Sequence, residues 1–145
     1  GPGRASGYGR DIAGHVDAAN NSLLLAVQVE TVEGLRNIEE IAAVEGVDLI
    51  FVGPGDLAVS MGATGSSDTG RVSSAIDEIV APALAARRSA GLYRPNGDDV
   101  DEWLSKGVNV FIVGSDTALL SAALRETVSS MTAVHRPRTV SRVRA

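Results

Sequence analysis

Val27-Gln-Val-Glu30 and, further on, Asp48-Leu-Ile-Phe-Val-Gly-Pro-Gly-Asp-Leu57 decide how this chain folds. Each is an apolar run of strand length, and each runs out at a carboxylate, Glu30 or Asp56. The residues between them read as one helix. Thr31 is a suitable N-cap, Leu35, Ile38, Ile41, Ala42 and Val44 recur at helical spacing, and Gly46 suits the helix end. Glu33, Arg36, Glu39 and Glu40 fall on the solvated flank. A helix joining two strands makes the pair parallel and brings both strand ends to one edge of the sheet. Neighbouring strands lie about 4.8 Å apart, so two carboxylates leaving them at one level can share a cation. Oxygen donors of that kind suit magnesium or manganese. The same residues also fit blander roles, a solvated glutamate beyond a strand and an aspartate capping a helix.

Upstream, Gly1 to Tyr8 is glycine-rich and offers no compact element, and a polar, partly helical stretch runs to Asn20. The spacing then predicts a strand over Ser22–Glu30, nearly all apolar, as when both faces are covered. Its last residues alternate, placing Gln28 and Glu30 on one face and Val27 and Val29 on the other. Downstream, Gly53 to Leu57 reads as a loop whose glycines let a ligand approach the main chain, followed by a short helical turn at Ala58–Met61 and a loop over Gly62–Gly70. Val72, Ala75, Ile76, Ile79, Val80, Ala83 and Leu84 mark a second amphipathic helix, with Pro82 expected to kink it or remove one backbone bond. A short strand at Gly91–Arg94, a turn at Asn96–Asp99 and a helix over Val100–Lys106 follow. Val108–Gly114 is the last strand, and Ser115-Asp116 caps a helix reaching about Met131. Four strands alternating with helices imply an α/β fold with a parallel sheet. A complete eight-stranded barrel takes about 250 residues, so four β/α units make either a small open sheet or half a barrel.

The 145 residues suit one domain. With no cysteine there is no disulfide framework, zinc-finger spacing or thiol nucleophile. No apolar run approaches a membrane span, and Gly-Pro-Gly-Arg lacks a signal peptide's apolar core, which points to the reducing cytoplasm. The net charge of −5 is uneven: from Thr127 onward there are four arginines and no acid, so the rest carries −9. A body that acidic is a poor partner for nucleic acid, and the basic tail reads as disordered and solvated. The chain has no Walker sequence, dinucleotide fingerprint or G-x-S-x-G elbow. His15 lies in a polar helix and His135 in the tail, and neither makes a persuasive general base.

The V-Q-V-E-T run, L-x-N-I-x-E-I, V-E-G-V-D-L-I-F-V-G-P-G-D-L and G-S-D-T-A-L-L together resemble the HpcH/HpaI aldolases, class II pyruvate aldolases built on a TIM barrel. The likeness runs from the first residues to about Arg125 and implies the C-terminal half of a (β/α)8 barrel over residues 1–126. Residues 127–145 would then be the end of the last helix and the tail. By this resemblance Glu30 and Asp56 would be the ligands of Mg2+ or Mn2+. Gln28, Gly55 and Asp56 would meet the pyruvate moiety, with the backbone at Gly55 and Asp56 taking its carboxylate. The reaction implied is cleavage of a 4-hydroxy-2-oxoacid to pyruvate and an aldehyde, with a metal as Lewis acid and no Schiff-base lysine. The family's histidine base and its arginine belong to the first half of the barrel, which nothing here matches, so no catalytic residue is expected in this chain. Compared with the family, Gly55 stands where alanine or serine is common, Arg87-Arg88 replaces a glycine–lysine turn, and Pro82 interrupts a helix. Two alternatives accompany this reading: a non-catalytic metal or oxoacid binding fragment, and a relative cleaving CoA thioesters. A half barrel would expose unpaired edges at its first and last strands, implying a homo-oligomer or association with a missing N-terminal half.

Overall fold

A computed structural model describes residues 3–134 of the chain. Eleven helices and strands follow one another: α1 (Ile12–Ser22), β1 (Ala26–Val29), α2 (Val32–Arg36), α3 (Ile38–Ala43), β2 (Leu49–Val52), α4 (Pro54–Ser60), α5 (Thr69–Ala85), β3 (Ser89–Arg94), α6 (Val100–Ser105), β4 (Val110–Val113) and α7 (Asp116–Val134). Short 3-10 turns at Arg4–Gly9 and Ser66–Asp68 complete the chain. The strands form one parallel sheet in the order β1-β2-β3-β4. This is the α/β architecture with four β/α units that the alternation of strands and helices implied.

The register sorts the side chains into two faces. Val29 pairs with Val52, Val52 with Leu92 and Leu92 with Phe111, so these residues point one way. They share a core with Ile38 and Ala42 of α3, Ile76, Ile79 and Ala83 of α5, and Trp103 of α6. The helices therefore cover this face. Gln28, Phe51, Gly91 and Val110 share the opposite face, where Gln28 is exposed and Ile112, two residues beyond Val110, is 54% exposed. Phe51 and Leu49 stay buried on that face because Gly91 has no side chain. A Cβ at Gly91 would lie 2.5 Å from the Phe51 ring and 3.1 Å from Leu49.

Several boundaries differ from expectation, each for a local reason. The strand predicted over Ser22–Glu30 pairs only from Ala26, because α1 runs through Ser22 and closes with the Leu23 N–H donating to Ala19. Asp48 then takes the Leu25 N–H on its side chain at 2.8 Å, and Leu23 and Leu24 are each 69% exposed. Gly53–Leu57 is not a loop. Pro54 sits at the first helical position, where its fixed φ suits a helix start, and α4 begins there. The helix after Thr31 breaks at Asn37 into α2 and α3, and Val44 and the turn at Gly46, φ +86°, lie beyond it. Thr69 and Gly70 open α5 rather than end a loop; of the two outcomes expected at Pro82, α5 shows the lost backbone N–H and remains one helix. Arg4–Gly9 forms a 3-10 turn where no compact element was expected. β3 starts at Ser89 rather than Gly91, β4 spans four residues, and α7 reaches Val134. Of the stretch from Thr127 read as a disordered tail, Thr127 to Val134 instead belong to α7, and residues 135–145, with the four arginines, lie outside those described.

Candidate metal and oxoacid site

Glu30 follows β1 and Asp56 lies in the first turn of α4, just after β2. Because β1 and β2 are parallel and in register at Val29 and Val52, both acids emerge at the C-terminal edge of the sheet. The backbone there is fixed on both sides. Thr31 caps α2 by accepting the Gly34 N–H at 3.0 Å, and the Ser60 hydroxyl accepts the Val32 N–H at 3.0 Å, tying the start of α2 to the end of α4. The Gly53 N–H donates to Val29 at 3.2 Å.

Gln28 and Glu30 meet as their shared face requires: the Gln28 Nε2 donates to the Glu30 Oε2 at 2.8 Å. Both stand over Gly53. A Cβ there would lie 2.7 Å from Gln28 Nε2, 3.0 Å from Glu30 Oε2 and 3.2 Å from the Glu30 Cβ. At Gly53 it is this close approach, not an unusual φ, that calls for glycine, since φ is −96°. At Gly55 a Cβ would meet no protein atom within 4 Å. The main chain at Gly55 is thus open, and an alanine would fit it. Asp56 is exposed and makes no hydrogen bond or ion pair with Gln28 or Glu30 among the described residues.

The donor set can be tested against a divalent ion. Among the described residues no three His, Cys, Asp or Glu side chains converge on one point, so Glu30 and Asp56 are the pair to weigh. Two carboxylates fit an ion such as magnesium, which commonly keeps several waters and takes one or two carboxylates beside its substrate. Gln28 engages one oxygen of Glu30, and no hydrogen bond among the described residues takes the other, which would be the one to meet such an ion.

Composition and spacing did not reveal a second cluster at the same end of the sheet. Arg94 closes β3, and its Nε donates to Asp99 Oδ1 at 2.8 Å while its Nη2 binds Asp99 Oδ2. The Trp103 indole N–H donates to Asp99 at 3.2 Å. Burial works to raise the Asp99 carboxyl pKa, but the hydrogen bonds from Arg94 and Trp103 outweigh it and hold the group below the ordinary carboxylate range. Lys106 lies 4.2 Å from the Trp103 ring centre and pairs with Asp77 and Glu102. The Asp77 hydrogen bond chiefly raises its pKa. The only sequence signal for this cluster was the i,i+4 spacing of Asp99 and Trp103.

A parallel half ring of β/α units, with its polar groups at the C-terminal strand ends, is the class of barrel in which active sites occupy that face. The family model for HpcH/HpaI aldolase/citrate lyase matches residues 4–123. The chain belongs to that family. It is 38% identical over 123 residues to a hydroxypyruvate/pyruvate aldolase of Pseudomonas aeruginosa, covering 85% of this chain and 46% of that protein. It is 35% identical over 123 residues to a 5-keto-4-deoxy-D-glucarate aldolase of Shigella boydii, covering 85% of this chain and 48% of that one. The fold superimposes on an HpcH/HpaI aldolase/citrate lyase family protein of Burkholderia cenocepacia with a TM-score of 0.82 and 30% identity, over 91% of this chain and 51% of that one. The chain spans about half the length of the relatives it matches, and its fold is half of a TIM barrel.

Proposed function

We propose that this chain carries the metal-holding part of a divalent-metal-dependent aldolase that cleaves a 4-hydroxy-2-oxoacid to pyruvate and an aldehyde. The observation that carries the reading is the close packing of Gln28 and Glu30 against Gly53 at the sheet edge that also bears Asp56. Relatives named for hydroxypyruvate/pyruvate and 5-keto-4-deoxy-D-glucarate support carbon–carbon cleavage of an oxoacid. Glu30 and Asp56 would hold Mg2+ or Mn2+, which when bound supplies Lewis acidity where negative charge develops on the 2-oxoacid.

The residues of this chain bind and orient. Gln28 keeps Glu30 turned over Gly53 and faces the pyruvate moiety or its waters. The backbone at Gly55 and Asp56 takes the substrate carboxylate, with nothing of the protein crowding Gly55. As the C3–C4 bond breaks, the 4-hydroxyl gives up its proton, C4 becomes the aldehyde carbon and C3 gains a proton to become the pyruvate methyl. A histidine and an arginine from a complementary half barrel would handle those protons, on a segment joined to this one or on a second chain. Among the described residues no helix is long and apolar enough to cross a membrane, and we place the protein in the cytoplasm.

Manganese titrated into the chain, with and without pyruvate, tests the site through the paramagnetic signal of the free ion. The parent should bind manganese, and pyruvate should tighten it. A Glu30→Gln, Asp56→Asn double variant should lose at least tenfold in affinity; equal affinity would remove the assignment. Co-expression with a complementary N-terminal half should give aldol cleavage, and manganese binding without cleavage in that sample would leave a binding fragment rather than an enzyme.

A further inference from the structure

A cavity of about 570 Å3 opens between α4, α5 and α6, within the roughly 300–1,000 Å3 range of small-ligand pockets. It lies on the helix-covered side of the sheet. Arg94, which lines it, shares its face with Leu92, opposite the face of Gln28 and Glu30. Ala58, Ala63, Val72 and Ile76 make an apolar wall, and Thr64, Thr69 and Ser73 bring hydroxyls. Gly55 is the one residue this space shares with the proposed oxoacid site; Gln28, Glu30 and Asp56 do not line it.

Arg94 determines its chemistry. A guanidinium presents five N–H donors in a rigid fork. Asp99 takes the Nε and one Nη2 donor, and among the described residues the Arg94 side chain has no other hydrogen-bond partner. The remaining Nη1 and Nη2 donors form a second edge that matches a carboxylate in a bidentate arrangement. Asp99 and Trp103 fix the fork before a ligand arrives, so little rotamer freedom remains to be lost on binding. Asp99 also compensates the arginine charge, and Glu102 lines the same cavity while paired with Lys106 at 3.3 Å. Charge alone is therefore a weak attraction, and recognition has to rest on directed hydrogen bonds together with the hydroxyl-bearing wall.

We propose that this cavity binds a small hydroxylated carboxylate, its carboxylate held by the free edge of Arg94 and its hydroxyls by Thr64, Thr69 and Ser73. The ligand would reach Pro54 and Gly55 at the cavity wall. The site needs no metal, so its test is independent of the aldolase reading.

Trp103 is the single tryptophan of the chain and lines the cavity, so its fluorescence reports occupancy of the full chain in metal-free buffer. D-Gluconate should give a saturable change, confirmed by calorimetry. Sorbitol, which lacks the carboxylate, and acetate, which lacks the hydroxylated chain, should each bind at least tenfold more weakly. Arg94→Gln should weaken gluconate at least tenfold, and Ser73→Leu, which fills the cavity and leaves every ion pair in place, should abolish the response with the circular dichroism unchanged. Glu102→Gln should tighten gluconate severalfold, and Glu30→Gln with Asp56→Asn should leave it unchanged. Sorbitol binding as well as gluconate, inorganic phosphate binding more tightly, or Ser73→Leu retaining full affinity would each overturn the proposal.

Discussion

Helices α5 and α7 are of similar length, 17 and 19 residues, yet they occupy opposite situations. α5 buries Ala75, Ile76, Ile79, Val80 and Ala83 against the centre of the sheet. α7 leaves Leu119, Leu120, Leu124, Val128 and Met131 exposed. The strands repeat the contrast: all four residues of β2 are buried, whereas β4, at one edge of the sheet, has Ile112 and Val113 exposed. The centre of this half barrel is satisfied by its own residues. Its edges carry apolar surface of the kind that marks an interaction face, and we propose that a complementary half or a second copy covers it.

The sharpest way to break that comparison is to truncate one residue on each helix. Ile79→Ala removes a fully buried side chain and should cost about 2–5 kcal/mol. Leu120→Ala on α7 should stay within about 0.5 kcal/mol in the chain alone, and urea denaturation read by circular dichroism separates the two. Comparable losses at both positions would mean that α7 is already covered in solution. Replacing Leu120 and Leu124 with glutamate should then shift the sedimentation profile toward the monomer.

How much of this was legible in the sequence follows the same division. The centre was readable because two signals agreed there: Val72, Ala75, Ile76, Ile79 and Ala83 repeat at helical spacing, and Leu49 to Val52 is a continuous apolar run of a doubly buried strand. Leu23 to Leu25 carries the same apolar signal but fails as strand, because apolarity does not say whether a neighbour exists to pair with. At the site, the order V-Q-V-E gave the shared face of Gln28 and Glu30 from alternation alone. The start of α4 was hidden because Gly-Pro-Gly suits a turn as well as a helix beginning with proline. Arg94, Asp99 and Trp103 come together only through tertiary packing, and their spacing in sequence resembles that of any polar turn followed by a helix.

A smaller effect sharpens the contrast between two glycines, Gly91 in the sheet and Gly55 at the head of α4. Gly91→Ala would drive a methyl group to 2.5 Å from the Phe51 ring, and overpacking of this kind costs about 1–3 kcal/mol. Gly55→Ala meets no protein atom within 4 Å and should change stability by less than about 0.5 kcal/mol. Thermal unfolding of the two variants checks both values. A large loss at Gly55 would show that something outside the described residues covers the head of α4.

The smallest effect concerns Asp99, a carboxylate whose hydrogen bonds from Arg94 and Trp103 hold its ionised form. Its pKa is lower in the folded chain than in the unfolded one, so the stabilisation it contributes is complete above the unfolded value, about 3.9 for an aspartate, and fades as the pH falls through the folded value. Asp99→Asn keeps the shape of the side chain, removes the charge facing Arg94 and lacks this contribution at every pH. The urea midpoints of parent and variant should therefore differ most near neutrality and converge as the solution is acidified below pH ~4. Lys106 adds nothing to that convergence, because its raised pKa gives a contribution already complete at acidic pH and lost only as the pH climbs through the folded value. A constant gap down to the acid transition would mean that the Arg94–Asp99 pair acts through packing against Trp103 rather than through charge. The C-terminal end of β3 would then carry a structural clasp, in contrast to the acids beyond β1 and β2.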